Sequence, residues 1–193
     1  ISGSYIKSTK PVAVVSGNQC ANVPAGIPNC DYISEMELPI STWGREYHVT
    51  PIYGRKKNSM IRIFAKEKNT TVFRDGQPWL VIPRSSRKID NGYIERRLDD
   101  SAPRCAVISA DKPIYVVQYN TSQSDDNVLS DPFQMALTPF EQYQNEITFN
   151  TPGGSGGIDN FKQHYVNLIY QLAADKNIPG DIEVGQVTNG KFE

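Results

Sequence analysis

The stretch AVISADKPIYVV at residues 106–117 repeats the pattern of YIKSTKPVAVV at residues 5–15. Each stretch contains an apolar segment, a serine, a short break that ends in Lys-Pro, and a second apolar segment. Proline sets its own backbone angle and lacks an amide donor, so the breaks STKP at 8–11 and ADKP at 110–113 are predicted as turns between strands. The chain therefore carries one strand pattern twice.

The repetition continues through both halves of the chain. The matching features are Asp31 and Asp131, Pro39 and Pro139, Trp43 and Tyr143, VTP at 49–51 and NTP at 150–152, and MIRIFAKEKN at 60–69 and YVNLIYQLAADKN at 165–177. A repeat of this length is a domain-sized unit, because solenoid repeats span only about 20 to 50 residues. We predict two tandem homologous modules, residues 1–100 and 101–193, packed together.

Short runs of β-branched and aromatic residues dominate the chain, and clusters of Gly, Pro, Asn and Asp separate them. The runs are VAVV at 12–15, YHVT at 47–50, MIRIFA at 60–65, TTVF at 70–73, WLVI at 79–82, CAVISA at 105–110, IYVVQY at 114–119, EITF at 146–149 and YVNLIY at 165–170. Asp75-Gly76 predicts a hairpin turn. No sustained helical stripe occurs, so the fold class is all-β, with each module a jelly-roll-like β-sandwich.

The balance of charge and hydropathy excludes two classes of partner. The formal net charge is −1, from 20 basic and 21 acidic residues, so the chain has no long-range field to attract nucleic acid. No apolar run approaches the roughly 20 residues that a membrane span needs. The first residue, Ile1, lies in what reads as a strand, so we expect the chain to be part of a longer polypeptide.

Cysteines and glycosylation triplets indicate the compartment. Cys20 and Cys30 bracket a short loop rich in proline and glycine that would bring the sulfurs together, so a disulfide is predicted. Two buried free thiols in a reducing compartment are the alternative. Cys105 opens an apolar strand and is predicted as a buried small residue, with a bridge to another segment or chain as the alternative. Asn69 in NTT and Asn120 in NTS are N-glycosylation acceptors, which mildly favours an extracellular protein.

Trp79 is a candidate ligand-binding residue because it follows the Asp-Gly turn and has no counterpart in the second half. An exposed tryptophan stacks on sugars or anchors a protein partner, whereas burial in the core is the alternative. Nearby basic residues would contact a sulfated or sialylated glycan, unless they simply form solvated loops. They are Arg84, Arg87 and Lys88, together with Arg55, Lys56 and Lys57.

Asp125, Asp126 and Asp131 lie in the polar loop SQSDDNVLSD. Several carboxylates on one loop would coordinate calcium, and a solvated loop is the alternative, so no cofactor is predicted beyond this possible calcium site. Asp31 and Asp131 occupy matching positions, which favours a repeated structural role such as accepting backbone amides at a turn. A glycan hydrolase that uses this pair is the third reading of the function.

Enzymatic signatures are otherwise missing from the sequence. The two histidines, His48 and His164, do not match each other in the repeat, so structural roles are expected for both. No H-E-x-x-H, C-x-x-C or G-x-S-x-G pattern occurs. We predict that the chain is not an enzyme and holds no metal through these motifs.

The string KPVAVVSGNQC, followed by VP, CDY and TWG, resembles the N-terminal domain of the IgGFc-binding protein family, found in secreted and mucus-associated animal proteins and bacterial surface proteins. The matching positions are Lys10, Pro11, Ser16, Gly17, Cys20, Val23, Pro24, Cys30, Asp31, Glu35, Pro39, Trp43 and Gly44, and later Lys112, Pro113, Gln118, Tyr119, Asp131, Pro132, Phe133, Pro139, Glu141, Gln142 and Tyr143. The resemblance implies an extracellular adhesion or binding role. It does not imply that this chain binds immunoglobulin.

The leading function is therefore an extracellular module of a larger secreted or surface protein that binds a protein or a glycan. A purely structural spacer in a matrix is the alternative. Repeated features are assigned to the fold, so the ligand is expected at features that are not repeated. These are the loop between Cys20 and Cys30, Trp79 with its basic neighbours, and the acidic loop at 124–131.

Overall fold

A computed structural model describes residues 2–83, 92–99, 103–149 and 164–172, with single positions between 180 and 192. The strands are β1 Val15–Ala21, β2 Asp31–Met36, β3 Gly44–Val49, β4 Met60–Ala65, β5 Thr70–Arg74, β6 Gln77–Ile82, β7 Tyr93–Arg97, β8 Ala106–Asn120, β9 Phe133–Ala136, β10 Val187–Thr188 and β11 Lys191–Phe192. Three short 3-10 helices span Ile40–Thr42, Gln123–Asp125 and Phe140–Gln142. The predicted all-β class is confirmed.

Strand β8 is the centre of the fold. Its first part, from Ala106 to Ala110, pairs with β3 and β5, and its second part, from Ile114 to Asn120, pairs with β4 and β9. All these pairs are antiparallel, and β6 and β7 extend the sheet at its two edges. One long strand thus belongs to two groups of strands, β6-β5-β8-β3 and β7-β4-β8-β9, as in sandwiches where a strand passes from one layer to the other.

The main core is formed by apolar side chains from both groups of strands. Its fully buried members include Tyr47 on β3, Ile63 on β4, Val72 on β5, Ile82 on β6 and Ile108 on β8. A second cluster joins the other side of β8, through Tyr115, Val117 and Tyr119, to the β1–β2 hairpin. Alternation along β8 therefore places buried side chains on both faces of the strand.

The sequence prediction of a turn at ADKP, residues 110–113, is wrong. These residues continue β8 at the point where the strand changes its neighbours. The carboxylate of Asp111 accepts a hydrogen bond from the amide of Thr71 at 2.9 Å, and Lys112 Nζ donates to the carbonyl of Lys68 at 2.6 Å. These side chains connect β8 to the backbone of Lys68 and Thr71 at the point where the ladder of β8 is interrupted. Pro113 is therefore accommodated inside the strand.

The repeat seen in the sequence has a structural counterpart in two hairpins, β1–β2 and β8–β9. The register is equivalent in both: Val15 faces Met36 and Ser16 faces Glu35, while Val117 faces Ala136 and Gln118 faces Met135. After each hairpin a proline, Pro39 or Pro139, precedes a 3-10 helix that ends at an aromatic residue, Trp43 or Tyr143. These shared positions therefore repeat a local structure.

The predicted arrangement of two tandem β-sandwich modules packed together, residues 1–100 and 101–193, is not confirmed. Strand β8 comes from the second half, yet it pairs with β3, β4 and β5 of the first half. The predicted strands at 146–149 and 165–170 are not assigned to any sheet, and residues 150–163 lie outside the described part of the chain. In the described part, no helix is long and apolar enough to cross a membrane.

Candidate binding site at the loop end of the sheet

Three loops meet at one end of the sheet. They are the disulfide loop, residues 22–30 between β1 and β2, the β3–β4 loop, residues 50–59, and the acidic loop, residues 121–132 between β8 and β9. Two of the three features that the sequence singled out, the cysteine loop and the acidic loop, therefore lie together. Loops positioned by a rigid sheet are frequent sites of recognition.

The disulfide loop is closed at its base by the predicted bridge between Cys20 and Cys30, which is confirmed, with a Cα–Cα distance of 4.9 Å. Gly26 at φ 86° and Asn29 at φ 68° adopt left-handed backbone conformations that glycine and asparagine tolerate. The sequence therefore folds this segment into a tight loop whose ends are covalently joined.

The disulfide loop and the acidic loop are joined by a reciprocal pair of hydrogen bonds. The amide of Val23 donates to Ser122 Oγ at 3.0 Å, and the amide of Ser122 donates to the carbonyl of Val23 at 2.7 Å. A third contact is made by Ser124 Oγ, which donates to Asn29 Oδ1. Ser122 and Val23 are both buried, so these bonds satisfy polar groups that water does not reach.

The β3–β4 loop is fixed to the acidic loop by a buried ion pair. Arg55 Nη2 lies 2.8 Å from Asp126 Oδ1, and the two side chains are 3% and 1% exposed. The other carboxylate oxygen of Asp126 accepts the backbone amide of Lys56 at 2.8 Å. The same Arg55 nitrogen donates to Thr121 Oγ1. Removing either charge would leave the other buried without its oppositely charged partner.

A second ion pair fixes the acidic loop to β7. Arg97 Nη2 donates to both carboxylate oxygens of Asp125, at 2.7 and 2.9 Å, and Lys57 Nζ lies 3.5 Å from one of them. Burial alone would raise the pKa of Asp125, but the hydrogen bonds from Arg97 and Thr121 and the nearby positive charges outweigh it and lower that pKa. The carboxylate is therefore ionised and already paired.

These pairings bear on the calcium reading of the acidic loop. Two of the three carboxylates predicted as calcium ligands, those of Asp125 and Asp126, are paired with arginine side chains. Among the residues that the structure describes, no group of three or more His, Cys, Asp or Glu side chains could hold a metal ion. The donor set of this loop therefore does not fit a calcium site, since its negative charge is neutralised by the chain itself.

The outer surface of the loop end is accessible. Leu129 at the acidic loop is 88% exposed, and Pro28 of the disulfide loop and Lys56 of the β3–β4 loop are also exposed. An apolar side chain held out from a loop with a buried ionic base has the character of a protein-binding surface. The ion-paired residues form the buried base of this site, and the exposed residues form its outer surface.

Trp79 is partly exposed and packs against the main core. The guanidinium of Arg74 lies over its ring at 5.9 Å. Arg74 pairs with Asp99 at 2.6 Å, and Asp99 accepts from Asn58 of the β3–β4 loop. Trp79 is therefore connected to the loop end through polar side chains. The other predicted ligand residues, Arg84, Arg87 and Lys88, lie outside the described residues.

The two glycosylation acceptors have different environments. Asn69 is exposed at the turn before β5, so its glycosylation stays a prediction. Asn120 is fully buried, and its Nδ2 donates to Ser130 Oγ at 2.7 Å and to the carbonyl of Asp131 at 2.6 Å. Burial of this nitrogen disfavours a glycan there. Thr121 and Ser122, the rest of the same triplet, contact Arg55 and Val23 instead.

Cys105 corrects one sequence prediction, because it is free and exposed instead of buried. The reason is its position: the ladder between β3 and β8 ends at the pair of Val49 and Ala106, and Cys105 lies just beyond it. The alternative reading of Cys105, as a residue that bridges to another segment or chain, is untested.

The remaining candidate residues occupy structural positions. Asp31 Oδ1 accepts the amide of Tyr32 at 2.6 Å, and the Asp131 carbonyl accepts the side chain of Asn120. His48 Nδ1 lies 3.1 Å from the hydroxyl of Tyr143. His164 is exposed. The Asp31 and His48 contacts fit the structural roles expected for these two residues. The Asp131 contact is made by its backbone carbonyl, so a structural role for its carboxylate, like that of His164, stays a prediction.

Comparison with known proteins decides the family. All residues from 1 to 193 match the family model described as IgGFc binding protein. The chain belongs to the IgGFc-binding protein family. A curated relative, the IgGFc-binding protein of Homo sapiens, is 24% identical over 159 residues, which cover 82% of this chain and 3% of the relative. The chain thus spans a small part of that relative's length. No solved structure matches it.

The family assignment confirms the resemblance carried by the Lys-Pro, Cys and Trp-Gly motifs. Sequence reasoning nevertheless missed three residues that build the loop end, namely Arg97, Thr121 and Ser122. A signal for the last two was present, since they form a glycosylation triplet with Asn120. An arginine near the end of a strand, such as Arg97, carries no local indication of its partner.

Proposed function

We propose that the chain is an extracellular binding module of a longer secreted or surface polypeptide, and that it recognises a protein ligand through the loop end. The observation that supports this most strongly is the union of the disulfide, acidic and β3–β4 loops by the Val23–Ser122 hydrogen bonds and the Arg55–Asp126 ion pair. Such a surface is pre-organised, so binding loses little conformational entropy.

Two further observations support the proposal. The bridge between Cys20 and Cys30 fits an oxidising, extracellular compartment. The human relative is named for binding the Fc part of IgG, which makes an Fc fragment the first probe. A protein ligand is favoured over a glycan because the exposed Leu129 is apolar and Trp79, the predicted stacking residue, packs against the core.

Binding is tested by biolayer interferometry with immobilised chain, human Fc as the first probe, and a panel of extracellular proteins and glycans as the second. The key variant is Leu129→Asp, and the matched control is Val81→Asp, since Val81 is also an exposed apolar residue, 51% exposed, but lies on β6. Binding of a protein that is lost in Leu129→Asp and kept in Val81→Asp supports the proposal.

Three other outcomes overturn part or all of it. Equal loss in both variants would place the ligand elsewhere. Saturable binding of glycans alone would change the ligand class. No binding to any probe would favour a structural spacer within a longer polypeptide, the alternative role for this chain.

A further inference from the structure

The two equivalent hairpins differ in how their edges are used. In the hairpin β8–β9, the other edge of β8 is paired with β4, from Met60 opposite Tyr119 to Ala65 opposite Ile114. In the hairpin β1–β2, β1 has only β2 as a partner among the described residues, in a two-stranded sheet. An open edge presents unpaired amide and carbonyl groups that pair readily with another strand.

The sequence repeat predicts which segment would pair with this edge of β1. Residues 165–170, YVNLIY, match β4, and residues 12–17 match positions 114–119 of β8. In the described structure, 165–170 is not in any sheet, although its residues have strong strand propensity. In the part of the chain that the structure describes, β1 therefore has an edge without a partner strand and 165–170 lies in no sheet, whereas their homologues in the same chain pair with each other.

Residues 165–170 contact the rest of their own chain through one face only, as far as the described residues show. Asn167 Nδ2 donates to Thr50 Oγ1 at 2.9 Å, and the ring of Tyr165 stacks on Tyr53 at 3.7 Å, so these alternate residues contact the β3–β4 loop. The other alternating residues are apolar and between 37% and 60% exposed; they are Val166, Leu168, Tyr170 and Leu172. Alternation of this kind is typical of a strand with one face awaiting a partner.

We infer that residues 165–170 of one copy pair with the second edge of β1, which has no partner strand in the described part of the chain, in another copy, and that the reciprocal exchange forms a symmetric dimer. A second copy is the occupant because, within its own copy, the segment is held on the β3–β4 loop by Asn167 and Tyr165 and is not paired with β1 among the described residues. Reciprocal strand addition is a low-cost route to a two-fold dimer.

The register follows from the pairs between β4 and β8. Equating 165–170 with 60–65, and 12–17 with 114–119, places Ile169 opposite Ala13, as Phe64 lies opposite Tyr115. Leu168 then lies opposite Val14, as Ile63 lies opposite Val116. Val15, the first residue of β1, and Val12, just before the strand, are exposed, and the added strand would cover them.

Sedimentation velocity over a wide range of concentrations tests the dimer. We expect the wild-type chain to dimerise, and Leu168→Lys to remain monomeric over the same range. Val15→Pro should also remain monomeric, because a proline there removes a donor from the open edge. Leu129→Lys is the matched control, since Leu129 is exposed but lies on the acidic loop, and it should dimerise normally.

Cysteine cross-linking tests the register and the origin of the strand. In a Cys105→Ser background, a chain with Ala13→Cys is mixed with a chain with Ile169→Cys, and we expect a disulfide-linked heterodimer. Replacing Ile169→Cys by Gln171→Cys shifts the thiol by two residues and should reduce the product strongly. A chain that carries both Ala13→Cys and Ile169→Cys shows whether the bridge forms within one chain. A wild-type chain that is monomeric at all concentrations, a dimer insensitive to Leu168→Lys, or a bridge within single chains of this double variant would each overturn the inference.

Discussion

Val23 and Ser122, which are 99 residues apart in the chain, hold each other through two hydrogen bonds, one in each direction. Val23 lies in the loop that follows β1, and Ser122 lies in the loop that follows β8, the equivalent strand of the second hairpin. The bond pair therefore joins the tips of two equivalent hairpins, and it places the disulfide loop directly on the acidic loop. The candidate binding surface depends on this junction.

The junction predicts a specific loss of stability in Ser122→Ala. The substitution leaves the buried amide of Val23 without its acceptor, which costs about 1–3 kcal/mol of unfolding free energy. Urea denaturation measures the change. Ser41→Ala is the control, because Ser41 is exposed in the 3-10 helix Ile40–Thr42, outside the junction, and should shift stability far less. Equal shifts in both variants would contradict the role of the junction.

The ion pair between Arg55 and Asp126 predicts unequal effects of single and double substitutions. Arg55→Met leaves the Asp126 carboxylate buried with its main partner removed, at a cost of about 3–5 kcal/mol. The double variant Arg55→Met with Asp126→Leu should lose less, because no charge stays buried. Lys56→Met, an exposed neighbour, serves as the control. Guanidinium denaturation gives the three free energies, and additive losses would exclude the coupling.

The lowered pKa of Asp125 predicts loss of stability in acid. A carboxyl whose pKa is lower in the folded chain than in the unfolded chain stabilises the fold above the unfolded value, about 4, and this contribution disappears as pH falls through the folded value. Asp125→Asn removes the titration. The difference in unfolding free energy between wild type and variant should be largest near neutral pH and shrink below about pH 4. A difference that does not change with pH argues against this account.

The cysteines predict a simple labelling pattern. Cys105 is exposed and free, so a thiol reagent should modify it in the native chain. Mass spectrometry of a non-reduced digest identifies the modified peptide. Peptides containing Cys20 and Cys30 should remain linked until a reductant is added. Protection of Cys105 in the monomeric chain, or labelling of Cys20 before reduction, would contradict the described arrangement.

Several elements could be predicted from local sequence because local physics is sufficient for them. MIRIFA forms β4 at 60–65 as predicted, since β-branched residues favour a pleated, buried strand. Asp75 and Gly76, at φ 50° and 77°, form the predicted hairpin turn. In contrast, CAVISA and IYVVQY were predicted as two strands, yet most of their residues belong to the single strand β8. The side chains of Asp111 and Lys112 in the break bond to the backbone of the distant residues Thr71 and Lys68, which no local pattern reveals.

The candidate site shows the same division. The cysteine loop and the acidic loop were both singled out by their lack of a repeat, and the structure brings them together. Their roles were not predictable, because Asp126 reads as a calcium ligand until Arg55 is seen beside it. Trp79 packs partly against the core, as its alternative role predicted, and its role in ligand binding stays a prediction.

The sequence by itself determined the all-β class, the repeated order of motifs and the family, and it predicted the disulfide, since each depends on composition, spacing or the order of motifs. Only the tertiary structure decided that β8 joins both halves in one sheet, that Asp125 and Asp126 are neutralised by arginines, and that Cys105 is exposed. Pairing and burial depend on which distant residues meet, and that is settled by packing of the whole chain.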